Sequence, residues 1–157
     1  TASFSSFTLS NDLTIDSLAD PDHSLPDTMR KMLSLEISAK IQNLALNYLE
    51  KENESVLKEV HELIEEARSL NMKFSFGGTG RYFYAKLSDL IKAVSDVPDA
   101  DEVRYITGLI SMADWLHLYI NKTALENQAF EIYQRFRQEP DGELKVLRPM
   151  FDWLNFE

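Results

Sequence analysis

Three histidines, 26 acidic side chains and no cysteine bound the chemistry open to this chain. Thiolate nucleophiles, disulfides and zinc sites built on Cys are excluded. His61, Glu62 and Glu65 invite comparison with the helix of zinc proteases. Glutamate stands where the second histidine must be, so no two-imidazole face forms. His61 and Glu65, one turn apart, read as a solvated surface pair. His117, near an apolar helix end, reads as a packing or capping residue. Gly77-Gly78-Thr79-Gly80-Arg81 has the glycines of a phosphate loop but lacks its Lys-Ser/Thr pair and any surrounding βαβ unit. It reads as a tight turn before a helix capped by Thr79. Arg81 then falls in the first helical turn, at the end of the dipole that disfavours a cation. It is expected to project outward to an acidic group or a partner.

Carboxylates are too common for pairs to carry meaning. Glu52, Glu54, Glu59, Glu62, Glu65 and Glu66 form a run expected on a solvated face. A glycosidase needs two carboxylates across one cleft, and nothing in the spacing marks such a pair. No serine nucleophile elbow is present. The sequence therefore assigns no catalytic residue, no metal ligand and no cofactor. Aromatics are the more informative stock. Arg81, Tyr82, Tyr84, Trp115, Tyr119 and Trp153 are the candidate sugar or interface contacts, because exposed aromatics stack on sugar rings and anchor interfaces. Phe83 and Tyr133 fit apolar helical stripes and are assigned to the core.

The elements that position these residues are helices. Apolar residues at helical spacing (Met29, Met32, Leu33, Ile37, Ile41, Leu44, Leu49) predict a first helix from about Pro26 to Glu50. Ser24, Pro26 and Asp27 suit its start. A second stripe, from Val56 to Leu70, predicts a helix ending near Asn71. Met72, Phe74 and Phe76 then alternate with polar residues, as in a short extended piece. A third helix carries Phe83, Leu87, Leu90, Ile91 and Val94. Asp99 with Glu102, and Thr123 with Glu126, have capping-box spacing and open two more helices. These carry Val103, Ile106, Ile110 and Ala113, then Phe130, Tyr133 and Phe136. After the Pro140-Asp141-Gly142 turn, residues 143–154 predict one last short helix. Residues 1–23, rich in Ser, Thr and Asp, read as irregular with one short helix near 12–18. The expectation is an all-α bundle of about five to six helices, arranged as two similar helical hairpins with short extended connections. It forms a single domain over residues 24–157.

The repeat behind that arrangement is visible in the residues. Leu70-Asn71-Met72 recurs as Leu116-His117-Leu118, 46 residues on, and Trp153-Leu154-Asn155-Phe156 echoes Trp115-Leu116-His117-Leu118. Two copies of a helix–extended–helix unit and the start of a third are expected, fewer than a solenoid needs. At 157 residues, 44% apolar and 27% charged, the chain can bury a real core. Its net charge of −10 disfavours nucleic acids and anionic membranes. No apolar run approaches a membrane span, and the first residues lack the regions of a signal peptide, so a cytoplasmic location is expected. A start at Thr1 suits a piece of something longer or a processed form.

The stretches LKEVHELIEEARSLNMKFSFGGTGRYFYAKLSDLI and LISMADWLHLYINKTALENQAFEIYQRF, preceded by Leu25-Pro26 and an Arg-bearing helix, resemble the α-helical C-terminal region of a bacterial subgroup of family 57 glycoside hydrolases. The resemblance covers residues 25–137 and rests on order and spacing: EEARSLNM ending a helix, the Gly turn before RYFY, and Glu126-Asn127-Gln128 with Phe130. The first 23 and last 20 residues do not share it. It implies a parent enzyme acting on α-glucans, with a Glu nucleophile and an Asp acid/base on an N-terminal barrel. Neither barrel nor motif lies in these residues, so no catalytic residue carries over. What it implies here is a non-catalytic accessory domain that packs on the barrel and helps wall the cleft, with the barrel and α-glucan as partners. The alternative is a free-standing helical protein–protein interaction module.

Overall fold

Apolar side chains three and four residues apart give each helix a face to bury, and the structure buries those faces against one another. The computed structural model describes residues 26–156. The irregular segment expected over 1–23, its short helix and the Ser24 cap lie outside them. Within them the chain is an all-α bundle: α1 (Asp27–Glu50), α2 (Glu54–Ser69), α3 (Thr79–Ala93), α4 (Ala100–Trp115), α5 (Lys122–Gln138), a 3-10 turn (Glu143–Leu147) and α6 (Arg148–Trp153). No strand occurs among the described residues, and no helix there is long and apolar enough to cross a membrane. One core cluster runs from Leu33 through Ile64, Phe83, Leu109, Leu125 and Phe151 to Leu154.

Several local expectations need correction. Thr79 does not cap α3. Gly78 holds that position at φ 86°, a left-handed conformation that glycine adopts without Cβ strain. Thr79 turns inward, 2% exposed. Asn121, not Thr123, caps α5, with its side-chain oxygen accepting from the Ala124 amide at 3.2 Å. Asp99 occupies the cap of α4 but makes no side-chain cap bond. The single last helix is divided, because Pro149 near the start of α6 has no N–H to continue the ladder from the 3-10 turn. Met29, Met32 and Phe130, placed on buried stripes by spacing, are 45%, 58% and 52% exposed.

The sequence repeat is realised at three helix ends. Asn71, His117 and Asn155 sit at positive φ, 54°, 53° and 66°. The amide of the following residue reaches back five positions each time: Met72 to the Ala67 carbonyl, Leu118 to Ala113, Phe156 to Phe151, at 3.0–3.1 Å. The left-handed residue bonds three back, to Arg68, Asp114 and Asp152. Three equivalent Schellman closures result, each with an apolar residue just beyond the turn.

The units they terminate do not close on themselves as two hairpins. α2 packs on α4, and α3 on α5, so each helix meets its counterpart in the other unit; α3 also packs on α4. The helical hairpin is α1 with α2, where Arg30 donates to the Leu70 carbonyl at 2.6 Å and caps the far end of α2. α6 adds the third closure to α4, and Phe156 stacks on Tyr133 with ring centroids 4.2 Å apart.

α1 meets α4 through a tyrosine pair. Tyr48 is fully buried, and a Cβ at Gly108 would land on its hydroxyl, so the glycine makes the crossing possible. Tyr105 lies edge-on to Tyr48, with centroids 5.4 Å apart. Its hydroxyl lies 2.7 Å from both the Tyr48 and Leu49 carbonyls and donates to this pair at the end of α1. Burial, and then the Glu52 carboxylate, push the Tyr105 phenol up to about 12. The same two causes raise Tyr48 above the usual tyrosine range. Both phenols are thus held neutral in the fold, while those of the unfolded chain ionise from about pH 10. Their stabilisation is complete below pH 10 and is lost as pH rises towards 12. Urea unfolding from pH 8 to 12 tests this. Tyr105→Phe should lose about 1 kcal/mol at pH 8 and decline less steeply between pH 10 and 12. An unchanged decline would contradict the assignment.

Candidate functional site

The closures after α2 and α4 deliver two non-helical links, 72–78 and 117–121, to the same side of the bundle. On the first, Phe76 is buried and Phe74 half-buried, with ring centroids 6.0 Å apart, while Lys73 and Ser75 alternate outward. The start of α3 fits between the links. A Cβ on Gly80 would collide with the Tyr119 carbonyl, so backbone approaches backbone there.

Between the links run two adjoining depressions of about 350 Å³ and 400 Å³ that share Phe74, Phe76, Leu116 and His117. The first adds Arg68, Met72, Lys73 and Trp115 to its wall, and the second adds Ser75, Gly78, Arg81 and Tyr119. No carboxylate lines either one.

The six residues singled out by sequence divide evenly. Arg81, Trp115 and Tyr119 come together on this groove, with Tyr119 88% exposed. Tyr82 is exposed beside it, 5.9 Å from the Arg81 guanidinium, but does not line it. Tyr84 packs half-buried against the core. Trp153 is engaged elsewhere. Its indole N–H donates to Asp114 at 3.0 Å and the Lys122 ammonium lies 4.5 Å from its ring centre, which ties α6 to α4 and α5.

Arg68, Lys73, Phe74 and His117 belong to the groove and were not among the sequence candidates. The alternation of Met72, Phe74 and Phe76 with Lys73 and Ser75 was the available signal. His117 is the left-handed residue of the second closure, in keeping with its capping role. His61 lies 3.8 Å from Glu65, but its ring also meets Trp115, centroids 4.7 Å apart, so it bridges α2 to α4. Among the described residues no three His, Asp or Glu side chains gather to hold a metal. The groove offers cations, aromatic faces and backbone groups, which suit binding. No family model, curated protein or solved structure matches the chain.

Gly80→Ala sets two effects of opposite sign against each other. Helix propensity alone favours alanine by about 1 kcal/mol. The clash with the Tyr119 carbonyl should outweigh it and destabilise the fold by about 1–3 kcal/mol. Urea midpoints decide, and a stabilised variant would show that the links do not meet at this point.

Proposed function

We propose that this chain is a non-catalytic helical domain that packs on the catalytic barrel of a larger, α-glucan-active enzyme. The observation that carries this reading is the second apolar face of α1. Leu33, Ile37, Ile41, Ala45 and Tyr48 face the core. On the opposite side Met32, Leu35, Ala39 and Leu46 recur at intervals of three, four and seven residues, and Met32 and Leu35 are 58% and 69% exposed. A helix apolar on both sides is usually covered on both sides. Scattered exposed leucines mean little, but Met29, Met32 and Leu35, exposed on successive turns, make a patch of the kind that marks a contact surface. Charge agrees. Between Asp27 and Glu50 the one acidic residue of α1, Glu36, is buried, Lys40 is paired with Glu59 at 3.9 Å, and Lys31 is the exposed charge beside Leu35. Depletion of free charge is typical of an interface centre. The resemblance of residues 25–137 to the helical region of family 57 enzymes supplies the identity of the partner.

A free-standing interaction module is the second reading, favoured by the coiled-coil-like spacing of the same stripe, which would seat a partner helix. The gene around Thr1 separates the two. The first reading expects several hundred upstream residues of (β/α) barrel in the same frame. In that full-length protein, Met32→Glu with Leu35→Glu should lower the temperature at which α-glucan hydrolysis is lost. Both positions are exposed, so the melting of the isolated helical domain should change by no more than about 0.5 kcal/mol. A frame without the barrel, or full-length enzyme indifferent to the two charges, overturns the first reading.

A further inference from the structure

We propose that the groove between the two links binds an extended, acidic peptide segment bearing apolar side chains. This goes beyond the packing role of α1, which lies on other residues, and does not depend on it.

Three observations converge on that ligand class. The first is charge separation. In a chain with 26 acidic side chains against 16 Lys and Arg, the groove walls carry Arg68, Lys73 and Arg81 and no carboxylate. Arg68 already meets Glu65 at 3.1 Å. Arg81 and Lys73 have no ion-pair partner among the described residues. Arg81 is also misplaced for stability, since the first turn of a helix disfavours a cation. Its guanidinium lies 5.9 Å from the centre of the Tyr82 ring, and a charge at odds with its place in a helix is a local conflict of the kind found at binding sites.

The second observation is unpaired backbone. Lys73, Phe74 and Ser75 on one wall, and Tyr119 on the other, make no backbone–backbone hydrogen bond among the described residues. The amides and carbonyls of Lys73, Phe74 and Ser75 can pair with an added strand, while the Tyr119 carbonyl packs against Gly80. The third is the floor. Phe74, Phe76 and Leu116 run under both depressions, with Trp115 at one end and Tyr119 at the other. Apolar side chains alternating along an extended ligand would reach that floor while the carboxylates between them face the cations. A neutral glucan fits less well. It brings no negative charge to Lys73 and Arg81 and no alternating apolar side chains to the floor.

The test is fluorescence anisotropy of the 157-residue chain with a fluorescein-labelled peptide of about ten residues, Glu alternating with Leu and Phe. Saturable binding is expected, weakening as NaCl is raised. Arg81→Glu should weaken it at least ~10-fold while leaving the melting temperature unchanged or higher, because an acid suits the first turn of α3. A lesion that merely disturbed the fold would lower both. Lys73→Glu should weaken binding in the same direction, and a Lys-for-Glu peptide should not bind. The proposal is overturned if the acidic peptide shows no saturation up to millimolar concentration or if Arg81→Glu binds like the parent. It is equally overturned if maltoheptaose binds where the peptide does not.

Discussion

Three residues held at positive φ decide how this chain turns. Asn71, His117 and Asn155 each adopt a conformation that side chains with a Cβ resist, at a cost of about 1 kcal/mol apiece. Each is offset by a pair of hydrogen bonds that satisfy carbonyls the helix end would leave open, and by an apolar residue that follows at once. Because the geometry is the same at each end, α2 and α4 release the chain in the same manner. Links of different length, 72–78 and 117–121, then leave equivalent helix ends, and α3 and α5 follow as counterparts. The packing of like on like, α2 with α4 and α3 with α5, is the consequence. So is the groove, which exists because the two links run beside each other with Gly80 between them.

α4 is the element on which the rest converges. It receives α1 through Gly108 and Tyr105, α2 and α3 through its apolar face, and α6 through the bond from Trp153 to Asp114. Tyr105 closes open carbonyls at the end of α1, much as Arg30 does for the end of α2. Side chains from neighbouring helices thus finish ends that local caps leave open. Among the described residues α1 keeps an apolar stripe facing outward.

Much of this was legible in the residues. Among the described residues periodicity located α1 to α5, and α1 begins one residue after its expected start. The recurrence of Leu-Asn-Met as Leu-His-Leu announced the repeated closures, since Asn tolerates the left-handed region and marks helix ends. What failed were choices decided by tertiary context. Thr79 and Thr123 have good capping chemistry, yet Gly78 and Asn121 lie where the chain actually turns. Met29, Met32 and Phe130 keep helical spacing but fall on faces with no neighbour among the helices described. Hairpins were the natural inference from consecutive helices, and only three-dimensional packing could show counterpart meeting counterpart. At the groove, Arg81 stood out because its charge conflicts with its place in the helix. Lys73 carries no such conflict, and its role emerges only when the second link is set opposite it.

Native-state hydrogen exchange at the amides of Met72, Leu118 and Phe156 tests the central claim most directly. Each lies just outside a helix, where an open chain would exchange at once. Protection at all three should match that of the adjoining helical turns, because these amides are bonded to the Ala67, Ala113 and Phe151 carbonyls. Exchange at the rate of an unstructured loop at these positions would mean the closures do not form, and the like-on-like stacking built on them would fall with them.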